Sequence, residues 1–140
     1  MDTSEVAMKL FAKGDMYVAQ KKYDEASPIY DSIYNQFQNR SLNDDILFRK
    51  AQVFKTQQRQ NKAIPVLKQL EEEFPGSIIL DKALFNIAQL YENDLTDFES
   101  AKKYYRKILF DHPSSLYVID ARKRFRKLSG KTNQNINKSS

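Results

Sequence analysis

The sequence predicts an all-α fold of stacked helical hairpins, and three observations carry that expectation. One outline, Leu-Phe followed by a small residue and then an aromatic ring, occurs three times at a spacing of 37: KLFAKGDMY at 9–17, ILFRKAQVF at 46–54 and ALFNIAQLY at 83–91. The chain has only three glycines and four prolines, and no alternating run rich in Val, Ile and Thr, so neither the strands nor the turns of a sandwich or barrel are present. Apolar residues instead recur in steps of three and four, the period of a half-buried helix.

The first helix of each unit is defined by Leu10, Leu47 and Leu84. Four residues later stand Gly14, Ala51 and Ala88, and three residues further on Tyr17, Phe54 and Tyr91. Steps of four and three put Leu, small residue and ring on one stripe. The small residue then lets a neighbouring helix approach closely. A second helix follows in each unit, beginning with polar residues and then Ala26, Ala63 or Ala101. Apolar positions continue at helical spacing: Tyr30, Ile33 and Phe37; Leu67, Leu70 and Phe74; Tyr105, Ile108 and Leu109. The distances Leu10 to Ala26 and Leu47 to Ala63 are equal, whereas Leu84 to Ala101 is one residue longer. That extra residue is assigned to the turn ENDLTD.

Turn chemistry follows the same division. FPGS at 74–77 and HPSS at 112–115 place Pro where a helix ends and Ser where the next can be capped. Pro28 and Pro65 both stand two residues after the alanine, early in a second helix, where proline costs less than at its centre. The expected units are about 7–40, 44–77 and 81–115.

These residues resemble the tetratricopeptide repeat: Leu-aromatic, Gly or Ala, Tyr or Phe, Ala and a closing Pro stand in that family's order over about residues 5–115. The resemblance implies a right-handed α-α superhelix and a non-catalytic role in holding other proteins. Lys13 and Lys50 depart from the family's usual apolar residue before the small one, and Ile87 conforms. The period of 37 also exceeds the family's usual one, and the long Phe-Pro-x-Ser junctions look like the repeats of bacterial cell-envelope proteins.

A seventh helix is expected at 116–128, where Val118, Ala121, Phe125 and Leu128 share one face and cations occupy the others. It serves as a cap, since a repeat stack needs a terminal helix with one wet face. Gly130 is expected to end it, leaving 129–140 as a tail without structure and the repeat domain at 4–128. No comparable cap precedes the first unit. Either its first helix packs on another molecule, which includes self-association through Met8 and Leu10, or the chain is the C-terminal part of a longer stack. A fragment of a longer exported protein implies the periplasm or cell envelope, and a complete chain implies the cytoplasm.

At 140 residues, 41% hydrophobic and 29% charged, the composition is that of one globular domain. The chain has no cysteine and one histidine, His112, so its own side chains cannot assemble a tetrahedral N/S zinc site. Catalytic and metal-ligating residues are therefore not expected, nor is a cofactor or small-molecule substrate, and three scattered glycines cannot form a phosphate loop.

The net charge of +5 is terminal: residues 116–140 hold seven Lys and Arg against Asp120, which leaves −1 for the rest. Arg122, Lys123, Arg124, Arg126 and Lys127 thus form an alternative surface for nucleic acid or another polyanion. Nucleic acid is disfavoured because the ring among these cations, Phe125, belongs to the apolar stripe, which leaves no stacking platform interleaved with them.

The principal expectation is a protein partner, peptide or helix, on the concave face. Phe11, Phe48 and Phe85 each follow the core Leu and are rotated toward that face, where they either pack between neighbouring first helices or floor a groove. Asp15, Gln52 and Gln89 lie one turn further along, followed by Lys55 and Glu92. Rings would supply contact area and polar groups would set register.

Overall fold

The structure, a computed structural model, describes residues 3–36 and 40–138, so Phe37 of the expected second-helix stripe lies outside the described residues. Seven α-helices and no strand occur among them. They are α1 (Thr3–Ala19), α2 (Tyr23–Gln36), α3 (Arg40–Thr56), α4 (Gln60–Glu73), α5 (Leu80–Gln89), α6 (Phe98–Asp111) and α7 (Val118–Lys138). The chain divides into two compact units, residues 1–70 and 71–140.

In the first unit the core joins Ala7, Ala26, Tyr30, Ile33, Ile46 and Val53, with Leu10, Phe11 and Tyr17 packed against it. The small residue of the repeat has the effect expected of it. A Cβ built on Gly14 would lie 2.7 Å from Cε1 of Tyr30, so the ring occupies the space that a side chain would need. Lys50 buries its stem, as long cationic side chains do, and places Nζ 2.8 Å from Asp31.

In the second unit Leu84, Ile87, Ala88, Ala101, Tyr105 and Ile108 are buried, and Ala121 and Leu128 bring α7 into the same core. Asp97 caps α6 by accepting from the backbone N–H of Ser100 at 3.1 Å. The Pro-x-Ser junctions are turns in which the serine works on the turn itself: Ser77 Oγ accepts from Ile79 N at 3.2 Å and Ser115 Oγ from Tyr117 N at 3.0 Å. Ser115 also donates to Asp81 at 2.6 Å, tying one junction to the start of α5.

The turns inside the hairpins explain the uneven spacing. Each carries one residue in the left-handed region: Lys21 (φ 60), Gln58 (φ 61) and Thr96 (φ 49). The first two turns close with Lys22 N to Tyr17 O and Arg59 N to Phe54 O, each spanning five residues and each 2.8 Å. The third closes with Asp97 N to Tyr91 O at 2.9 Å, one residue wider. The additional residue is absorbed as a single π turn, Leu90–Asp94, that extends α5. It therefore sits in the helix end, N-terminal to the left-handed residue, and only overlaps the assigned turn.

Thr96 is β-branched, and the left-handed region crowds its Cβ against the following carbonyl. Thr96→Asn is expected to raise stability by about 1 kcal/mol, read as a higher urea midpoint at unchanged slope.

One boundary departs from expectation. Gly130 does not end α7, which continues to Lys138, and no described glycine has positive φ. A glycine inside a helix costs only about 1 kcal/mol, and no proline follows to force a stop.

Candidate functional site

Four of the expected groove residues are drawn into two matching clusters, Phe11 and Asp15 in the first unit and Phe85 and Glu92 in the second. In the first, Asp15 of α1 accepts from the hydroxyl of Tyr30 on α2 and is paired with Arg49 of α3, whose Nε lies 2.9 and 3.1 Å from its two oxygens. The Arg49 guanidinium also covers the Phe11 ring at 4.3 Å from its centroid, and that ring meets Tyr30 edge-on at 6.2 Å. Phe48 is buried, at 7% exposure. Gln52 and Lys55 are half-buried and hold interactions of their own. Phe11 and Asp15 thus clasp three helices together while both remain partly exposed.

The second cluster repeats the chemistry with α5, α6 and α7. Glu92, in the π turn, accepts from Tyr105 Oη at 2.8 Å and from Arg124 Nε at 3.0 Å, and a second guanidinium nitrogen pairs with its other oxygen. Glu92 is 6% exposed. Phe85 meets Tyr105 edge-on at 5.8 Å and stacks on Tyr117 at 4.9 Å. One residue expected in the groove and one expected on the basic surface are therefore bonded to each other.

Burial governs the two tyrosines. Desolvation first, then the hydrogen bond and charge of Asp15, hold the Tyr30 phenol well above its ordinary value, against an opposing pull from Arg49. Tyr105 is pushed up to about 12 by burial. Both phenols are thus favoured as neutral groups in the folded chain. The contribution of Tyr105 is complete below the unfolded value near 10 and is lost as pH rises from there toward 12, and that of Tyr30 is lost over a window that starts at the same point and reaches further. Alkaline unfolding is expected to remove about 2 kcal/mol over that window for Tyr105, with circular dichroism falling in step with tyrosine ionisation.

Beside the second clasp lies a cleft of about 450 Å³, lined by Phe85, Gln89, Glu92, Asn93, Tyr105, Asp120, Lys123 and Arg124. Its charged walls divide into two kinds. Glu92 and Arg124 satisfy one another, whereas Gln89, Asn93, Asp120 and Lys123 have no side-chain partner among the described residues. Half-buried Phe85 forms an aromatic wall against which they stand. The arrangement suits a ligand with an apolar side chain and several hydrogen-bonding groups. It offers no metal cage: among the described residues no group of His, Asp and Glu is placed to hold an ion.

Reading the sequence identified Phe85, Gln89, Glu92, Lys123 and Arg124 but not Asn93, Tyr105 or Asp120. A signal for the clasps was present across the repeats. The first and third units have Tyr30 and Tyr105 where the middle one has Leu67, and Arg49 and Arg124 bracket Asn86 at the same register. Tyrosine and arginine thus change together, as a hydrogen-bonded set would. The remaining expected cations, Arg122, Lys123, Arg126 and Lys127, lie on α7 around its apolar stripe.

Two segments, residues 45–77 and 82–115, match the family model described as tetratricopeptide repeat. They coincide with the second and third units. A search of curated proteins finds no match to the chain. No described helix is long and apolar enough to cross a membrane.

Proposed function

We propose that this tetratricopeptide-repeat chain is a non-catalytic scaffold module that holds a peptide or helix of another protein in the cleft between α5, α6 and α7. Repeats of this kind generally mediate protein–protein interaction, which supports a protein partner. The observation that carries the choice of face is the contrast inside the cleft. Its buried charges are already neutralised by each other, while the side-chain amides of Gln89 and Asn93 stand beside the Phe85 ring with donors and acceptors to offer.

A partner residue with an apolar side chain packs on Phe85, and the two amides bond the partner's backbone or polar groups. Lys123 and Asp120, one turn apart on α7, set orientation by charge. Nothing in this arrangement performs bond-making. Its aromatic and amide groups supply area and register.

Peptides selected from a random displayed library on the full chain provide the test. Gln89→Ala and Lys123→Glu, which remove no core contact, are each expected to weaken a selected peptide about tenfold, the loss of one well-placed interface group. Met8→Ser, at an exposed position of α1, is expected to leave binding unchanged. Selected peptides whose affinity is indifferent to Gln89 and Lys123 would place the site elsewhere.

A further inference from the structure

The α6–α7 hairpin has a second face, separate from the cleft, on which cations and exposed apolar side chains are segregated along one axis. On α6, Lys103, Arg106 and Phe110 step by three and four residues and share a stripe. On α7, Ile119, Arg122, Arg126 and Ser129 step by three, four and three. The two stripes border one depression, lined by Lys103 and Arg106 from α6 and by Phe125 and Ser129 from α7. The guanidinium of Arg106 lies over the Phe125 ring at 5.5 Å from its centroid.

Because the helices are joined by a short junction, Phe110 in the last turn of α6 and Ile119 in the first turn of α7 fall at the same end, with Leu116 between them in sequence. These three are 75%, 63% and 94% exposed. A soluble surface rarely gathers aliphatic and aromatic tips in one place without a use for them.

We infer that this face of the hairpin docks on an anionic lipid bilayer, with Phe110, Leu116 and Ile119 entering the headgroup boundary and Lys103, Arg106, Arg122 and Arg126 held against lipid phosphates. Charge complementarity argues for an anionic surface: four cations stand on the two stripes. Three carboxylates border them: Glu99, which is paired with Lys102 at 2.9 Å, Asp111 beside Phe110, and Asp120 next to Ile119 in sequence. The apolar tips decide between anionic occupants. Leucine and isoleucine cannot stack on bases, so they add nothing to nucleic-acid binding, whereas a bilayer interface accepts aliphatic side chains and Phe alike.

The inference is independent of the cleft and is tested on the full chain by sedimentation with vesicles of phosphatidylcholine, alone or mixed with phosphatidylglycerol. Binding to the mixed vesicles and not to the neutral ones is expected. Each cation near an anionic surface is worth about fivefold in affinity, so the charge reversals Arg122→Glu and Arg126→Glu together are expected to lower it at least about 25-fold. Phe110→Ser with Leu116→Ser, both exposed and so outside the folded core, is expected to weaken binding about tenfold and to make what remains far more sensitive to salt. Circular dichroism checks that each variant folds. Three results would overturn the proposal: equal binding to neutral vesicles, no effect of the Phe110 and Leu116 pair, or a single-stranded oligonucleotide that binds more tightly than the vesicles and displaces them.

Discussion

Arg124→Ala is expected to destabilise the protein by about 3 kcal/mol, and Glu92→Gln by about 1 kcal/mol, although the two residues belong to one ion pair. The difference follows from exposure. The Glu92 side chain is 5% exposed and that of Arg124 is 34% exposed. Removing the arginine strands a carboxylate in the core with only the Tyr105 hydroxyl to bond it, and a buried charge without its counter-charge is among the most costly single defects. Removing the negative charge leaves an arginine that can turn toward water, while the amide oxygen that replaces the carboxylate would still accept from Tyr105. Urea denaturation of the two single variants and the double variant measures this. The double variant Glu92→Gln/Arg124→Ala is expected to be more stable than Arg124→Ala alone, because the stranded charge is gone. Equal losses for the two single variants would show that the pair is solvated and that α7 is held by its apolar contacts, Ala121 and Leu128 among them.

That pair also shows where reading the sequence reached its limit. The hairpins were legible because steps of three and four over a whole helix admit only one buried face, and Leu47, Leu84, Ala51 and Ala88 are buried as that pattern requires. The additional residue of the third unit was countable, yet its conformation was not. Whether a helix end absorbs a residue as a π turn or loops it out depends on what the displaced side chain can reach, here Tyr105 and Arg124 for Glu92. The left-handed positions were hidden because Lys21, Gln58 and Thr96 are not the residues that mark such turns. The candidate site was half legible for a related reason. Rotation about each helix axis puts Phe11 with Asp15, and Phe85 with Glu92, on one side of their own helix, but periodicity does not say whether a polar group there meets solvent or a partner two helices away. Asp15 and Glu92 met arginines 34 and 32 residues distant. The end of α7 lies beyond Gly130 because a single glycine with no proline behind it is too weak a signal to stop a helix.

Gly14→Ala decides between two opposed effects of known size. Gly14 is in the interior of α1, where alanine is the better helix former by about 1 kcal/mol, so propensity alone predicts a gain. Packing predicts a loss. The new Cβ would stand 2.7 Å from Cε1, 3.1 Å from Cζ and 3.2 Å from Cδ1 of Tyr30. That ring cannot easily yield, because its hydroxyl is bonded to Asp15, its face is met by Phe11 and Tyr30 itself is 1% exposed. Forcing a methyl into a full core costs about 1–3 kcal/mol, which exceeds the propensity gain over most of that range. Gly14→Ala is therefore expected to lower stability by about 1 kcal/mol, and Gly14→Leu, which no shift of the ring can accommodate, by roughly 3 kcal/mol or more. Tyr30→Leu in the Gly14→Ala background supplies the control, since the middle unit sets Leu67 opposite Ala51 at the same register. If the clash is the cause, that replacement costs less in the Gly14→Ala chain than in the native one, and thermal melts of the four chains will show a positive coupling. A Gly14→Ala chain more stable than the native one would mean that α1 and α2 can move apart, and that the close approach of these helices is not what the small residue provides.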